Sequence, residues 1–521
     1  MNGSNLDAAG GAVLEMRNIT KRFPGVVSND RVDFDLRSGE IHCLLGENGA
    51  GKTTLMNILY GLYQMDEGEI IVDGERVQIR SPRDAIDLGI GMVHQFFTLI
   101  PRLSVLENII LGHEPTRGPF LDRKGAEREI TRLQRTLNLE VDLKADPDQL
   151  SAGEKQKVEI LKALYRGARI LILDEPTSVL TEQEKGELMR TLRGMVEGGD
   201  LSVIFITHKL PEALAVSDRI TILRKGKVVD ILDSKDADMR QLAQKMVGRD
   251  VLFDVQRRPT VKGEEVLEVV GLHALGDDRV PALRGVSLSV REGEILGIAG
   301  VSGNGQRELM DAIAGVRRAT AGRVFIKGVE TTNLPPGEVR ALSVGYIPEN
   351  RLEKGILPDL SIIENMLLGV HSKPPYAHGW FLPFDRRWFI DSKEAKDHAS
   401  RLVDTYDVDT PGLDRPAGKL SGGNIQKLIL ARELSRDPDL LLADKPTSGL
   451  DVGSQEFIRR RLMEERDRGK AILLVSEDLD EIMMVSDRIA VMYEGRLLSA
   501  VSAEEVTKEE IGAQMTGGRE G

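Results

Sequence analysis

Much of this chain is written twice. Residues 32–51, VDFDLRSGEIHCLLGENGAG, are matched by residues 286–305, VSLSVREGEILGIAGVSGNG. Residues 150–180, LSAGEKQKVEILKALYRGARILILDEPTSVL, are matched by 420–450, LSGGNIQKLILARELSRDPDLLLADKPTSGL. VSDRITILRKGKVV (216–229) is matched by VSDRIAVMYEGRLL (485–498). A repeat of this length restricts the fold to two like domains in series, each closing its own core. The 521 residues suit that division, at about 250 per domain. The offset between copies is 254 at the first match and 270 at the second, so the second copy carries an insertion, expected around HSKPPYAHGWFLPFDRRWFI (371–390).

Each copy opens with alternating apolar and polar residues, as a half-buried strand does, then gives a short apolar run and a glycine-rich turn. Short β-branched runs interleaved with longer stretches of helical period predict an α/β fold with a largely parallel sheet. The expected organisation is a flexible tail over 1–11, a first domain over 12–250, a linker over 251–264, a second domain over 265–505 and a C-terminal tail over 506–521.

Gly46-Glu47-Asn48-Gly49-Ala50-Gly51-Lys52-Thr53 fits the phosphate-binding pattern G-x-x-x-x-G-K-[ST]. It lies between an apolar strand, Ile41 to Leu45, and a helical stretch from Thr54 onward. Glycines let backbone N–H groups face phosphate oxygens, and the helix start adds its positive dipole end. Lys52 reaches the β- and γ-phosphates in such a loop, and the Thr53 hydroxyl ligates Mg²⁺. A second apolar run, Ile170 to Leu173, ends in Asp174-Glu175. A phosphate-bound metal needs one acid to hold it, the role for Asp174. An attacking water needs another to orient it, the role for Glu175.

The bulk properties exclude several alternatives. The net charge is −13 and aromatics make up 4%, which is neither the basic footprint nor the stacking surface of a nucleic-acid binder. The single cysteine, Cys43, rules out a disulfide framework and reads as a small core residue. No stretch approaches 18 uncharged apolar residues, and the first residues lack the basic start and apolar core of a secretory signal.

Residues 150–156 (LSAGEKQ) and 420–426 (LSGGNIQ) resemble the signature sequence of ATP-binding-cassette proteins, and the resemblance covers nearly the whole chain, twice. It implies two tandem P-loop NTPase cassettes, each with a RecA-like core, an antiparallel β subdomain and a helical signature subdomain, using ATP and Mg²⁺. It implies that Gly46 to Lys52, with Thr53 and Thr54, bind ATP. Gln95 in VHQFF matches the family's glutamine loop and joins Thr53 and Asp174 at the metal. His208, after Val203 to Thr207, matches the histidine that contacts the γ-phosphate, and Phe23 in TKRFPG matches the aromatic that stacks on adenine. Phe23 by itself reads equally as a core or edge aromatic. Ser151 with Glu154, and Ser421 with Asn424, occupy the ends of a capping box at a helix start.

The second copy departs at four reactive positions: Gln306 stands for the P-loop lysine, Arg307 for the threonine, Lys445 for the acid after Asp444, and Glu477 for the histidine. None of the first three can do the chemistry of the residue it replaces. Its signature nevertheless keeps Ser421, Gly422 and Gly423, with Asp451 downstream, where the first copy has Ala152 and Thr181. The family's head-to-tail pairing implies one composite hydrolytic site: Lys52, Thr53, Gln95, Asp174, Glu175 and His208 from copy one with Ser421, Gly422, Gly423 and Asp451 from copy two.

The resemblance further implies an ATPase on the cytoplasmic face of the cell membrane that energises a bacterial importer. Its partners would be permease subunits, through a groove near Gln95, and indirectly an extracytoplasmic solute-binding protein, with no nucleic acid. The stretches 92–112, 159–181, 297–310 and 476–495 lean toward nucleoside importers, with monosaccharide importers as the alternative. The apolar segment Phe96, Phe97, Leu99, Ile100 and Leu103 reads as helical-subdomain core and as lining of a groove that accepts a permease helix, and both can hold, since the groove wall is built from that subdomain. Two further readings are a soluble tandem cassette protein acting on ribosomes and a nucleotide-binding regulator without turnover. The short join and acidic balance count against the first, Glu175 and His208 against the second.

Overall fold

The computed structural model describes residues 11–180, 182–199, 201–248, 261–371, 374–378, 389–515 and 517. Residues 1–10 of the expected tail, most of the expected linker, Thr181 and much of 371–390 lie outside the described residues. The chain divides into two compact units, Met1–Val251 and Leu252–Gly521.

In the first unit a six-stranded sheet runs in the order Lys227–Asp233, Arg219–Arg224, Ile41–Leu45, Ser202–Thr207, Ile170–Asp174, Ile90–Val93. All neighbours are parallel except the hairpin at the Lys227–Asp233 edge. Every residue of Ile41–Leu45, Ile170–Asp174 and Ser202–Thr207 is buried, which is why these strands read as unbroken apolar runs. A four-stranded antiparallel sheet, ordered Val26–Arg37, Ala12–Phe23, Glu67–Val72, Glu75–Val77, covers the helix Lys52–Leu59. Leu14, Met16, Val32, Phe34 and Leu36 of this sheet share one apolar cluster with Leu55, Met56 and Leu59 of the helix and Ile204 and Ile206 of the central sheet. That packing fixes where the helix begins, and with it the glycine-rich turn. The signature residues open the helix Ala152–Tyr165, which packs with Val105–Ile110 and Arg123–Leu137 in a helical subdomain.

The second unit repeats this plan. Its central sheet is ordered Val344–Ile347, Leu440–Asp444, Ala471–Ser476, Ile295–Ala299, Arg488–Tyr493, Arg496–Leu497, with Val501–Ser502 also on Arg488–Tyr493. Its antiparallel sheet is ordered Pro281–Arg291, Glu265–Leu275, Ala319–Ile326, Val329–Glu330. The extra length of this copy is split. Ser104 and Ser361 make capping boxes on equivalent helices at an offset of 257, so three inserted residues precede Ser361. They fall in a segment containing a single π-helical turn, Arg351–Gly355. Only the remainder lies farther on, toward 371–390.

The expected tail over 506–521 is corrected. Lys508–Met515 is a helix, and Ile511 and Met515 are 1% and 8% exposed in the same apolar cluster as Ile482, Val485 and Val491. Two buried residues spaced i, i+4 among polar ones carry too little periodicity to be read as a helix. Ile511→Ala should therefore cost about 2–4 kcal/mol and lower Tm by several degrees in a calorimetric scan, where a residue in a flexible tail would change neither.

Candidate functional site

The glycine-rich turn of the first unit is shaped by close approach. A Cβ on Gly46 would meet the Leu223 carbonyl oxygen at 2.3 Å. Gly51 sits at φ +100, with the Ser28 carbonyl oxygen 2.4 Å from where a Cβ would lie. Asn29 Nδ2 donates to the Gly51 carbonyl at 3.1 Å. Lys52, only 5% exposed, folds over the loop and donates from Nζ to the Gly46 and Glu47 carbonyls at 2.7 and 2.9 Å. The helix beginning at Lys52 turns its N-terminal end to the same loop, an anion site of cation and backbone dipole together.

Asp174 and Glu175 end the strand next but one to the loop. Burial pushes the Asp174 carboxyl above the usual carboxylate range, and the Glu175 charge adds to this against the Thr53 hydroxyl and Lys52. Glu175 is the opposite case. Burial acts to raise it, but the hydrogen bond and charge of His208, with Lys52 and Lys209, leave it below its ordinary value. His208 Nδ1 lies 2.8 Å from Glu175 Oε1, and Gln95 Nε2 donates to Oε2 at 3.2 Å. Glu175 itself is held at φ 48, in the left-handed region that costs a non-glycine residue. Six sequence-assigned residues, Lys52, Thr53, Gln95, Asp174, Glu175 and His208, thus form one connected group. Two acids whose surroundings drive their protonation apart are the arrangement expected of a metal-holding acid beside a water-orienting base.

A buried carboxylate whose neighbour is a second carboxylate, with a hydroxyl bonded to it, is short of positive charge. Thr53, Asp174 and the Gln95 amide offer only oxygen donors, the kind that suits a hard divalent cation also held by phosphate. Among the described residues no group of three or more His, Cys, Asp or Glu could hold a metal ion unaided.

Phe23 is half-buried at the end of its strand, edge-on to Tyr63 with ring centroids 5.5 Å apart. Of the apolar segment after Gln95, Phe96 is 79% exposed and Ile100 is 41% exposed, so the core reading fails for these two. Ser151 and Glu154 form the full capping box. Ser421 accepts from the Asn424 N–H, and Asp451 caps its own helix by accepting from Ser454 N–H at 2.8 Å. The part foreseen for Thr181 lies outside the described residues.

The second unit keeps the loop and inverts the charges. Gly305 repeats the φ of Gly51 at +106, and Gln306 Nε2 donates to the Val301 carbonyl at 3.1 Å, much as Lys52 does to Glu47. Arg307 turns to Asp277 at 3.5 Å and Asp311 at 3.9 Å. Lys445, at φ 45, occupies the place of Glu175. Its ammonium lies 2.8 Å from Glu349, 2.6 Å from Glu477 and 2.9 Å from Ser302 Oγ of the glycine-rich loop. Glu349 stands at the offset of 254 from Gln95; the departure was readable in the sequence but escaped the count of four. Asp444 is buried, with Oδ1 unpartnered, and its carboxyl is pushed up to about 7 by burial, with the Glu349 charge adding to it.

A support beneath both sites also escaped the sequence. Thr177 Oγ1 and Thr207 Oγ1 donate to buried Glu212 at 2.7 and 3.1 Å, tying the turn after Glu175 to the strand before His208. Thr447 and Ser476 do the same with Glu481 at 2.7 and 2.6 Å.

A family model described as ABC transporter matches residues 29–178 and again 283–448. A guanosine import ATP-binding protein of Bacillus subtilis is 47% identical, with 97% of each chain covered. A nucleoside import ATP-binding protein of Lactococcus lactis is 46% identical, covering 97% of this chain and 98% of its own. A glucose import ATP-binding protein of Haloferax volcanii is also 46% identical, covering 97% and 96%.

Two substitutions test the two sites. Glu175→Gln should retain ATP binding while kcat falls by at least about 10²-fold; turnover near that of the parent would remove Glu175 from the reaction. Lys445→Glu writes back an acid but puts a third carboxylate beside Glu349 and Glu477. It should lower unfolding stability by about 1–3 kcal/mol and create no second hydrolytic site, as read by calorimetry and by nucleotide trapped per chain.

Proposed function

We infer that this chain, which belongs to the ABC transporter family, is the ATP-hydrolysing subunit of an importer and that its cargo is a nucleoside. The observation that carries the catalytic part is the Gln95–Glu175–His208 group standing over Lys52, Thr53 and Asp174 in the first unit, against a second unit in which Lys445, Glu349 and Glu477 replace it. The nucleoside part rests on the relatives named for guanosine and nucleoside import, each matched over nearly its full length. The glucose import relative favours a monosaccharide as the second reading.

In this reading Gly46 to Thr54 cradle the phosphates of ATP, and Lys52 leaves its carbonyl partners for them. Phe23 offers a ring to the adenine. Thr53, Asp174 and Gln95 would hold Mg²⁺, which when bound would supply positive charge beside the phosphates. Glu175 orients the attacking water, and His208 holds Glu175 and meets the γ-phosphate. Ser421, Gly422, Gly423 and Asp451 complete the site from the second cassette, giving one hydrolytic site per chain. Closure and reopening on hydrolysis would be transmitted to permease subunits through the exposed segment at Phe96 and Ile100. Among the described residues no helix is long and apolar enough to cross a membrane, and in this reading the chain is a peripheral subunit on the cytoplasmic face, while the solute is handled by the permease and an extracytoplasmic binding protein. Relatives matched end to end and named for import leave the ribosome reading without support.

Uptake of labelled guanosine, ribose and glucose, in cells with this chain, without it, and with Lys52→Ala, tests the reading. Loss of guanosine uptake alone in both deficient strains is the expected outcome. Loss confined to a sugar would overturn the nucleoside assignment and leave the ATPase assignment intact.

A further inference from the structure

Glu175 and His208 follow the ends of paired parallel strands, Ile170–Asp174 and Ser202–Thr207, and their side chains meet at 2.8 Å. Glu175 stands at φ 48, and its N–H donates to the Ile206 carbonyl at 3.0 Å. A residue in that region of backbone space stays there only where its surroundings over-determine it. The side chain beneath both turns is Glu212, 8% exposed, in the first turn of the helix Leu210–Val216. Two buried hydroxyls converge on one of its oxygens, Oε2: Thr177, two residues after Glu175, and Thr207, one before His208. Thr207 Oγ1 gives its proton to Glu212 and accepts the Lys209 N–H at 3.0 Å, so the backbone of His208 is spanned by a closed turn. The Lys209 ammonium lies 3.2 Å from Oε1 and balances the charge. Among the described residues Glu212 makes no hydrogen bond to Glu175 or His208 themselves.

One oxygen that receives a hydroxyl from each turn fixes the distance between them. Misplacing a reacting group by about 1 Å can cost about 10²-fold in rate. We propose that Glu212 is a positioning residue of the ATPase reaction: it holds the Glu175 turn and the His208 turn at the spacing where imidazole and carboxylate meet, and so aims the acid that orients the attacking water. This rests on the reading that Glu175 orients that water. The second unit supplies a control. There Thr447 and Ser476 donate to separate oxygens of Glu481, which also has Arg459 at 3.4 Å. The pair that this support holds is Lys445 and Glu477, in which a lysine replaces the water-orienting acid.

The test uses variants of the chain assembled with its permease. Glu212→Met fills the space but cannot accept the two hydroxyls. It should lower kcat about 10- to 100-fold with KM for ATP within about twofold. Glu212→Gln, whose single carbonyl can accept from both hydroxyls, should recover most of that loss. On a Glu175→Gln background, Glu212→Met should lower the residual kcat by less than about twofold, because the group it acts through is already gone. Glu481→Met should lower Tm at least as far as Glu212→Met does and leave kcat within about twofold. Should Glu212→Met fail to fold, Thr177→Val and Thr207→Val, each of nearly the parent's shape, carry the same expectation of a kcat loss at unchanged KM. An equal kcat loss in Glu481→Met, an undiminished loss on the Glu175→Gln background, or a lower Tm with kcat unchanged in Glu212→Met would make the support structural and overturn the proposal. Parental turnover in Glu175→Gln alone would instead overturn the reading on which it rests.

Discussion

Asp174 and Glu175 are adjacent acids at the end of one buried strand, and two negative charges cannot sit there without compensation. Their surroundings separate them. Asp174 is pushed toward its neutral form by burial and by Glu175, while His208 and the nearby lysines keep Glu175 ionised against its burial. The glycine-rich loop supplies a cation in Lys52, whose charge acts on both acids, and Gln95 reaches Glu175 from a different strand end. Every reactive group of the first unit is thus placed by its relation to this one pair. The sheet order, with Ile41–Leu45 and Ile170–Asp174 on either side of Ser202–Thr207, is what lets three strand ends converge on it.

The second unit solves the same problem by exchanging signs. In the first, a carboxylate is held by a neutral amide and an imidazole. In the second, an ammonium is held by two carboxylates at the same two positions, on the same left-handed turn. The substitutions are coupled for a physical reason: Lys445 beside a glutamine and a histidine would be a buried cation without a counter-ion, and Glu349 with Glu477 and no lysine would repel. They amount to one replacement of an ionic cluster.

Much of this was legible in the sequence because its signals are local. The P-loop is eight consecutive residues, the acid pair ends an apolar run, and each capping box spans four residues. What was not legible is either long-range or faint. Glu212 finds Thr177 and Thr207 only once the strands are laid side by side. The helix Lys508–Met515 buries two residues, too few to set a period. Phe96 and Ile100 carry the composition of a core but lie at the surface, since hydrophobicity alone does not tell a core from a docking face. Glu349 is the exception, a local signal recoverable by carrying the offset one motif further.

The scaffold retained in the second unit argues against a domain that has only to stay folded. The threonine–glutamate support, the loop dihedrals and the signature cap all persist there. The lysine and the arginine at its loop mouth are paired with carboxylates. Arg351 and Asp444 both line a cavity of about 640 Å³ that runs from Arg307 to Gly422 beside the signature. Burying a lone cation and an unpartnered carboxyl lowers stability without helping the core. A purely structural domain could replace both with apolar residues and gain stability.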